Sequence, residues 1–471
     1  MVRLQRWALV WWGLVLAGCG GLAGPRQETP AEVEVESLAG ADPGALTGAP
    51  RWVWHYDGPS EERPAGIAHD REGNVIVAVN FATELRQGPQ GVPRGEPVET
   101  MGSDFGTFAI IKYRPEGTLL WIRTFGAIPP AGERRASSFV SALTVDHAGN
   151  ILFSGSNTGS IDFGTGLLST GLFLVKLAPN GSPVFARPFT RLTSTTAFLA
   201  RELATDREGH IALAGSLQGT VDLGGGPVAG DGNALLATFD PAGAFRWSFV
   251  EVQFSFGNGV VADHEGHLYL CGTLQTDLFP PFDIIPFVYA FSPTGTRRWS
   301  RRLGTTNGQG LDIATHGNRV VVVGRIAAPL TFQGRTLEPT GASDAFVVAF
   351  TRAGDERWAR HFGVSAEAVA MDPRDGVVVT GAYEDGDNLG RGPLHGVPGS
   401  AANLYVAKFD RIRGAPRWTR GFASEGAFGV EVSADRQGRS GVTGFHTAPV
   451  DFGFGVLLPA VQNGFLLGLE R

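Results

Sequence analysis

Acidic side chains form the densest group of possible metal ligands in this chain. Three carboxylates and one amide lie within a single short stretch: Glu384, Asp385, Asp387 and Asn388. Calcium binds roughly six to eight oxygen atoms, so this stretch could contribute to a calcium site. Its spacing differs from that of a helix–loop–helix calcium motif, and Asn388 aligns with aspartates in related segments: Asp162, Asp222 and Asp451. We interpret this position as turn-capping and predict no metal site, with calcium binding by the acidic stretch as the alternative.

The other reactive side chains are not spaced as in a catalytic motif. Five histidines lie in or beside Asp-x-x-Gly turns of different repeat units: His69, His147, His210, His264 and His267. The His-Glu-x-x-His pattern of zinc sites and the Gly-x-Ser-x-Gly pattern of a nucleophile elbow are both absent from the sequence. The glycines at 224–226 fall in a hairpin pattern, whereas a phosphate-binding loop would precede a helix. The sequence therefore assigns no catalytic residue and predicts no cofactor.

One turn resembles a hairpin of sialidases. Residues 292–299, with the sequence SPTGTRRW, are similar to the sialidase Asp-box, but Thr294 occupies the place of its aspartate. No pair of carboxylates can be assigned as acid and nucleophile. Glycoside hydrolysis is therefore disfavoured.

Charge and cysteine content exclude further classes of function. The 471 residues include 39 Lys and Arg against 46 Asp and Glu, a net charge of −7, and no basic patch stands out along the chain. This balance argues against nucleic acid as a partner. Of the two cysteines, Cys271 lies in the apolar run Leu268–Gly272, which indicates a small buried side chain.

The N-terminus has the features of a targeting segment. Two arginines precede an apolar run, Trp7–Gly18, which is shorter than the ~20 residues that span a bilayer and typical of a signal peptide. The run ends in Leu-Ala-Gly-Cys19, which resembles the lipobox of bacterial lipoproteins. The resemblance implies that residues 1–18 are a cleaved signal peptide and that Cys19 carries a lipid anchor. Gly20, in place of aspartate, implies the outer membrane. A plain secretory signal is the alternative.

Residues 19–47 are rich in Gly, Pro, Ala and Glu and show no apolar periodicity. This composition predicts a flexible tether between the membrane and a folded part that begins near residue 48.

Two turn motifs recur in step through residues 48–471. One is a glycine followed four positions later by an aromatic residue: Gly117 and Trp121, Gly181 and Phe185, Gly243 and Trp247, Gly295 and Trp299, Gly354 and Trp358, Gly414 and Trp418. The other is Asp-x-x-Gly or a variant of it, whose glycines lie at 73, 149, 209, 266, 317, 376 and 438. Repeats of this length are typical of folds built from stacked supersecondary units.

Each repeat unit contains four runs rich in β-branched and aromatic residues. In the second unit these are Ala142–Val145, Ile151–Ser154, Leu172–Leu177 and Pro183–Phe189. Four-stranded units repeated around an axis are the blades of a β-propeller. The motifs Asp146–Asn150, Ile161–Gly164 and Pro-x-Gly-x-x-x-aromatic resemble those of bacterial surface proteins with seven-bladed β-propeller repeats. The resemblance implies an all-β propeller over residues 48–471, with blades at about 64–126, 138–189, 200–250, 257–303, 308–362, 365–422 and 427–471.

A displaced copy of the first motif suggests how such a ring closes. Residues 48–52, Gly-Ala-Pro-Arg-Trp, repeat the sequence of residues 414–418 before any first blade exists, whereas the seventh unit stops after its third strand. We therefore predict that residues 48–56 complete the C-terminal blade as its outermost strand. Such closure removes two sheet edges that would otherwise promote aggregation.

Connections of variable length are all predicted on one face, which we call the long-loop face. In a four-stranded meander, the connections between strands two and three and between blades share one end, and binding residues often lie on such loops. The longest, Phe81–Thr107, could cap the central channel, with a mobile surface insertion without a role as the alternative. Our candidate binding residues on this face are Arg86, Arg94, Glu99, Arg134, Arg135, Phe254, Phe256, Phe279, Phe282, Glu384, Asp385 and Asp387. The alternative for the aromatic residues among them is packing between blades.

The leading hypothesis is a non-enzymatic envelope lipoprotein, anchored through Cys19, that binds a protein or carbohydrate through its long-loop face. The alternative is a propeller enzyme, a hydrolase or lyase, with its site at the channel mouth. An enzyme should bring carboxylates, His or Arg from several blades into one pocket. A binding scaffold should present a broad surface with exposed aromatic side chains.

Overall fold

A computed structural model describes residues 48–89, 98–99, 106–133, 135–276, 283–304, 307–374 and 376–471. Within these ranges the chain forms 36 β-strands and no helix. Accordingly, the described part of the chain contains no helix long and apolar enough to cross a membrane.

The strands of the first half, numbered in chain order, are β1 (Pro50–Asp57), β2 (Arg63–His69), β3 (Val75–Phe81), β4 (Glu84–Pro89), β5 (Val98–Glu99), β6 (Thr107–Tyr113), β7 (Leu119–Gly126), β8 (Ser138–Val145), β9 (Ile151–Asn157), β10 (Ile161–Asp162), β11 (Leu167–Leu168), β12 (Gly171–Leu177), β13 (Pro183–Arg191), β14 (Ala197–Thr205), β15 (Ile211–Asp222), β16 (Pro227–Phe239), β17 (Phe245–Val250) and β18 (Ser255–Ala262). The four strands predicted for the second repeat unit correspond to β8, β9, β12 and β13, each as long as predicted or longer.

The strands of the second half are β19 (Leu268–Gln275), β20 (Ile284–Phe291), β21 (Arg297–Arg302), β22 (Gly308–His316), β23 (Arg319–Ile326), β24 (Leu330–Phe332), β25 (Arg335–Leu337), β26 (Asp344–Phe350), β27 (Glu356–Phe362), β28 (Ala368–Asp372), β29 (Gly376–Tyr383), β30 (Asn403–Asp410), β31 (Pro416–Phe422), β32 (Ala427–Ala434), β33 (Ser440–His446), β34 (Val450–Asp451), β35 (Val456–Leu457) and β36 (Asn463–Leu469).

Antiparallel pairing groups most of the described strands into sets of four, which we call sheets one to seven; the short strands β5, β10, β11, β24, β25, β34 and β35, and β4, lie outside these sets. Their orders are β2-β3-β6-β7, β8-β9-β12-β13, β14-β15-β16-β17, β18-β19-β20-β21, β22-β23-β26-β27, β28-β29-β30-β31 and β32-β33-β36-β1. A short pairing of β13 with β15 joins sheets two and three. The third strand of most sheets is largely apolar and is buried along its whole length, as in β6, β12, β26 and β36. Such runs are typical of strands covered on both faces.

The first strands of the sheets lie side by side around a central channel. Each packs against the next, in the order β2, β8, β14, β18, β22, β28 and β32, and β32 packs against β2. Clusters of buried apolar side chains fill the space between neighbouring sheets, including one that joins sheets seven and one through Tyr56, Val77 and Leu466. This radial arrangement of antiparallel sheets is a β-propeller.

Strand β1 lies in the last sheet although it opens the described chain. It pairs with β36, so that Trp54 opposes Leu466 and Tyr56 opposes Gly464. It is not the outermost strand, however, because β4 pairs with its other edge, from Trp54 opposite Pro89 to Asp57 opposite Arg86. The described part of the Phe81–Thr107 connection therefore lies on the outer rim. The prediction that this connection caps the channel is wrong for β4, which belongs to it.

The recurrent Gly-x-x-x-Trp motif links each sheet to the next. Outer-strand indole N–H groups donate to turn carbonyls of the following sheet: Trp52 to Pro115 at 3.0 Å, Trp121 to Pro179 at 3.2 Å, Trp247 to Pro293 at 3.0 Å, Trp299 to Arg352 at 3.0 Å and Trp358 to Arg411 at 2.9 Å. The turn glycine lies against the same ring. A Cβ on Gly354 would be 2.8 Å from Trp299, and its φ of +88° also favours glycine.

Residues 48–52 supply both a glycine and a tryptophan for contacts of this kind. A Cβ on Gly48 would lie 2.6 Å from the Trp418 ring of sheet six, while Trp52 reaches sheet one. The displaced motif therefore occupies the place that its sequence copies have elsewhere in the ring.

Buried lysines form a second connection between sheets. Each binds the aspartate of its own Asp-x-x-Gly turn and donates to a carbonyl of the next sheet: Lys112 with Asp70 and Pro179, Lys176 with Asp146 and Pro241, Lys408 with Asp372 and Gly438. Burial by itself would raise the pKa of Asp70, but hydrogen bonds from Lys112 and Asn74 lower it below the ordinary value. These ion pairs are buried, so removing one partner would leave an uncompensated charge.

In sheets two, three, five, six and seven, the connection between the second and third strands forms a hairpin beside the outer strand. In sheet two, β10 pairs with β11, and Gly164 lies against Pro183 at the start of β13. The Asp162 carboxylate accepts the N–H groups of Gly164 at 2.7 Å and Gly166 at 3.1 Å. The same bonds form at Asp222, Asn388 and Asp451. The predicted turn-capping role of these residues is confirmed.

Candidate functional site

A β-bulge at the same point of most first strands shapes the channel. Bulges occur in β2, β8, β14, β18, β22 and β32. The second strand usually has glycine opposite the bulge, because a Cβ on Gly155 would lie 2.0 Å from the Phe139 carbonyl oxygen. Two levels of the channel follow from this geometry: residues before the bulge surround its mouth on the long-loop face, and residues after it surround its waist.

The mouth is apolar along an arc of three sheets. The residues at this level are Arg63, Phe139, Leu199, Phe256, Gln309 and Phe428, which oppose equivalent positions of the second strands. Phe139 is 44% exposed and Leu199 is 41% exposed. Such exposure of large apolar side chains from neighbouring strands indicates a contact surface.

Connections leading into the same three sheets extend this arc. Ile128, Leu192 and Val252 are exposed in the segments before β8, β14 and β18, and Val252 is 92% exposed. Because these segments join the outer strand of one sheet to the first strand of the next, they lie at the long-loop end. We call the exposed residues Ile128, Phe139, Leu192, Leu199 and Val252 the apolar arc.

Two predicted aromatic residues adjoin the arc. Phe254 and Phe256 form an edge-to-face pair with ring centroids 5.2 Å apart. Phe254 also packs over Gly232 of sheet three, where a Cβ would lie 2.2 Å from its ring. Both side chains are half-buried. Packing between sheets, the alternative that sequence reasoning raised for the aromatics, therefore accounts for part of the Phe254 surface.

Two of the predicted acidic residues, Asp385 and Asp387, form hydrogen bonds within their own loop. The Asp387 carboxylate accepts the N–H of Glu384 at 2.7 Å, and that of Asp385 accepts the N–H of Gly396 at 2.9 Å. Burial raises the pKa of Asp387. Among the described residues, no group of three or more His, Cys, Asp or Glu side chains is placed to hold a metal ion.

The remaining predicted residues do not converge. Arg86 lies on the outer rim in β4, where its guanidinium pairs with Glu84 at 2.8 Å. Arg135 is exposed in the connection between β7 and β8. Glu99 belongs to β5, but its side chain is outside the described part. Other predicted positions lie wholly outside the described residues: Cys19, Arg94, Arg134, Phe279 and Phe282.

Three carboxylates that sequence reasoning missed converge on the channel waist. They follow the bulge in alternate sheets, at Glu202, Asp312 and Glu431. The same level carries only small side chains in the sheets between: Gly66, Ala142 and Gly259. All three carboxylates, together with Arg201, line a central cavity of about 100 Å³.

Glu202 and Asp312 form a hydrogen-bonded carboxyl pair. The Glu202 side chain also accepts the Val260 N–H at 2.8 Å, and Gly259 leaves space for it, since a Cβ there would lie 3.0 Å from its Oε2. Asp312 accepts the N–H groups of Ile313 and Val369, both at 2.6 Å. The pair thus connects sheets three, four, five and six.

Burial controls the protonation of this pair. It raises the pKa of Asp312 to about 6, although hydrogen bonds from Val369 and Ile313 oppose the rise. It raises the pKa of Glu202 further, because the charges of Asp312 and Glu431 add to the effect of burial. Burial and the neighbouring carboxylates therefore favour the protonated form of Glu202. Burial also raises the pKa of Glu431.

The cavity limits what these groups can do. Sites for organic ligands usually measure about 300–1,000 Å³, so about 100 Å³ has room for water or a small ion only. The Asp312 oxygens are occupied by backbone amides, which suits a structural link better than an attacking base. A carboxylate within a largely apolar first strand was the available sequence signal, as in Ala427–Ala434.

Comparisons with known proteins give structural resemblances only. No protein-family profile and no curated protein sequence matches the chain. The quinohemoprotein alcohol dehydrogenase ADHIIG from Pseudomonas putida HK5 is 10% identical, with a TM-score of 0.42, over 90% of this chain and 76% of that chain.

Two further solved structures are similar at this level. The β-propeller domain of the Trilobed protease from Pyrococcus furiosus, described as having an open velcro topology, is 9% identical with a TM-score of 0.44, over 85% of this chain and 96% of that chain. A protein of unknown function from Dyadobacter fermentans is 10% identical with a TM-score of 0.38, over 90% and 97%.

Proposed function

We propose that this protein is a lipid-anchored lipoprotein of the bacterial cell envelope, most consistent with the outer membrane, and that it acts as a non-enzymatic binding scaffold. Its ligand is a protein or a polysaccharide that contacts the long-loop face. The anchor is the lipid on Cys19, and residues 19–47 form the tether.

The scaffold in this proposal is a closed ring of seven blades. Its support is the set of seven four-stranded sheets, the pairing of β1 with β36 and the packing of β32 against β2. Closure of this kind fixes the channel mouth rigidly, which lets loops and strand ends present a preformed surface.

The observation that carries the binding function is the apolar arc. Five large apolar side chains, from neighbouring sheets and the connections between them, are exposed at one end of the ring. Aliphatic residues predominate in the arc, and a protein surface contacts such side chains better than a sugar does. A protein partner is therefore the form of the proposal that we favour.

An enzyme acting at the channel mouth is the second candidate. The convergence of Glu202, Asp312 and Glu431 from three sheets is the feature expected of an active site. The small cavity and the backbone bonds of Asp312 favour a structural role instead.

The experiment places a photo-crosslinking amino acid at Phe139, in the arc, in cells that produce the full-length protein. The control site is Glu116, an exposed residue in the turn before β7 at the opposite end of the ring. We expect a discrete adduct from position 139 and none from position 116. Leu199→Asp should reduce the adduct at least about tenfold, because docking would bury a charge against apolar surface.

Three results would count against the proposal. They are equal adducts from both sites, an adduct insensitive to Leu199→Asp, and turnover of a substrate that Glu202→Gln abolishes while the adduct is unchanged. Protease or glycosidase digestion of the adduct distinguishes the two ligand classes.

A further inference from the structure

A basic groove runs along the outer rim of sheet five, at the edge of that sheet farthest from the channel. It has a volume of about 870 Å³ and follows the outer strand β27 between the β24–β25 hairpin and the turn that joins β30 to β31. Its basic side chains are Arg335, Arg357, Arg360, Arg413 and His361. None of the described residues that line it is Asp or Glu.

Two of these groups have structural roles. The Arg360 guanidinium donates to the carbonyl oxygens of Ala359 at 2.8 Å and Arg413 at 2.9 Å, which connects sheets five and six. His361 pairs with the buried carboxylate of Asp344 at 2.9 Å. The remaining cations, Arg335, Arg357 and Arg413, are therefore those available to a ligand.

Positive charge is crowded behind the groove as well. The pKa of Arg319 is lowered by burial and by the nearby charges of Arg357 and Arg411. The nearest acidic side chain on β27, Glu356, accepts the N–H of Gln333 at 2.5 Å. The groove thus carries an excess of positive charge within a chain whose net charge is −7.

The floor of the groove is the edge of a β-sheet. Strand β27 pairs with β26 on one side and ends the strand order of sheet five on the other. The Ala359 carbonyl points outward, where the Arg360 side chain donates to it, so an added strand would replace this bond. Edge strands of this kind present main-chain donors and acceptors that another extended chain can pair with.

The molecule already contains one example of such pairing. At the equivalent edge of sheet seven, β4 adds to β1 as an additional strand, in register from Trp54 opposite Pro89 to Asp57 opposite Arg86. An extended segment therefore fits against an outer strand of this ring without displacing neighbouring sheets.

We propose that the groove binds an extended acidic peptide segment of a partner protein, which adds to β27 as a further strand. Its carboxylates pair with Arg335 and Arg413 on the two walls and with Arg357 at one end. Apolar side chains of the peptide contact Ile412, which is 57% exposed, and the hairpin. A strand edge favours a peptide over an acidic polysaccharide, because only a peptide supplies N–H and C=O groups at strand spacing. The site is independent of the apolar arc.

The test measures binding of a blocked nine-residue peptide of alternating glutamate and valine to the purified full-length protein in detergent. Fluorescence anisotropy should show saturable binding that weakens as salt is raised from about 0.05 M to 0.5 M. Arg335→Glu combined with Arg413→Glu should weaken binding at least about tenfold. The matched control is Arg298→Glu, since Arg298 precedes Trp299 in β21 as Arg357 precedes Trp358 in β27.

Further probes distinguish strand addition from charge attraction. A peptide of the same charge with N-methyl groups at alternate residues should lose binding, because it cannot complete the ladder. Equal binding of the methylated peptide, tighter binding of polygalacturonate, an effect of Arg298→Glu as large as that of the double variant, or no binding of the parent peptide would each overturn the proposal. Thermal melting of each variant verifies that the fold is retained.

Discussion

At the residue scale, the buried polar groups of this protein act across sheets rather than within them. Lys112, Lys176 and Lys408 each pair with an aspartate of their own turn and bond to a carbonyl of the next sheet. At the channel waist, Glu202 and Asp312 also act across sheets, because each accepts a backbone N–H of the next sheet. Because buried polar groups are costly when unpaired, these bonds favour one arrangement of the ring over others.

The carboxyl pair predicts that stability falls as the pH rises above about 5. A carboxyl whose pKa is raised in the folded state holds a proton that the unfolded chain releases near pH 4, so folding is favoured at low pH and loses this contribution through a pKa of about 6 for Asp312. We expect Glu202→Gln to reduce the fall between pH 5 and 8 by on the order of 1–3 kcal/mol.

Urea unfolding at both pH values measures this effect. The comparison uses a window in which Asp70, Asp146 and Asp263 do not titrate, because their pKa values are lowered. Burial also raises the pKa of Glu62 to about 8. The titration of Glu62 is common to Glu202→Gln and the unaltered protein, so it cancels when their pH dependences are compared. The same pH dependence in Glu202→Gln and the unaltered protein would refute the assignment.

At the element scale, β1 connects three parts of the chain. It pairs with β36 on one side and β4 on the other, and Trp52 and Trp54 bond to the Pro115–Gly117 turn of sheet one. Val53 and Tyr56 are buried in the clusters on either side of sheet seven. One strand therefore completes a sheet and both of its neighbouring interfaces.

Deletion of residues 48–56 should abolish cooperative thermal unfolding or leave the protein insoluble. The reason is that the deletion exposes the edge of β36 and the apolar surface that Val53, Trp54 and Tyr56 cover. Calorimetry and sedimentation after expression measure the outcome. Deletion of residues 20–47 is the control and should leave the melting temperature unchanged. An unaltered melting curve for the 48–56 deletion would contradict the role of β1.

At the scale of the whole molecule, the ring separates its binding chemistry by position. The long-loop face carries the apolar arc, the channel waist carries carboxyl groups, and the outer rim of sheet five carries the basic groove. In the proposed envelope location, a lipid anchor would leave both the face and the rim accessible to partners.

Cys19→Ala should release the protein from membranes into the soluble fraction. One acyl chain binds a bilayer with only about 10⁴ M⁻¹, so stable attachment needs the several chains that lipoprotein processing supplies. Fractionation of cells, followed by immunoblotting, measures the distribution. Membrane retention of the variant, with the same mass as the unaltered protein, would reject the lipobox interpretation.

Sequence alone determined the local chemistry of this fold. Turn residues such as Asp146, Asp162 and Gly354 determine the backbone conformation within a few positions of themselves in the sequence. Their spacing therefore predicts the strands that they join. The copy of the Gly-x-x-x-Trp motif at residues 48–52 likewise predicted that β1 pairs with β36. It did not predict β4 on the other edge, because the Phe81–Thr107 connection has no repeated counterpart.

Only the tertiary structure decided which residues from different repeats meet. Glu202 and Asp312 lie in separate repeats, and neither belongs to the repeated motifs, so only the aligned bulges of their strands bring them together. Arg413 likewise belongs to a different repeat from Arg335 and Arg357, and the three share one groove only after folding. Turn motifs determine backbone structure over a few residues. The sites depend instead on contacts between sheets, which no single repeat encodes.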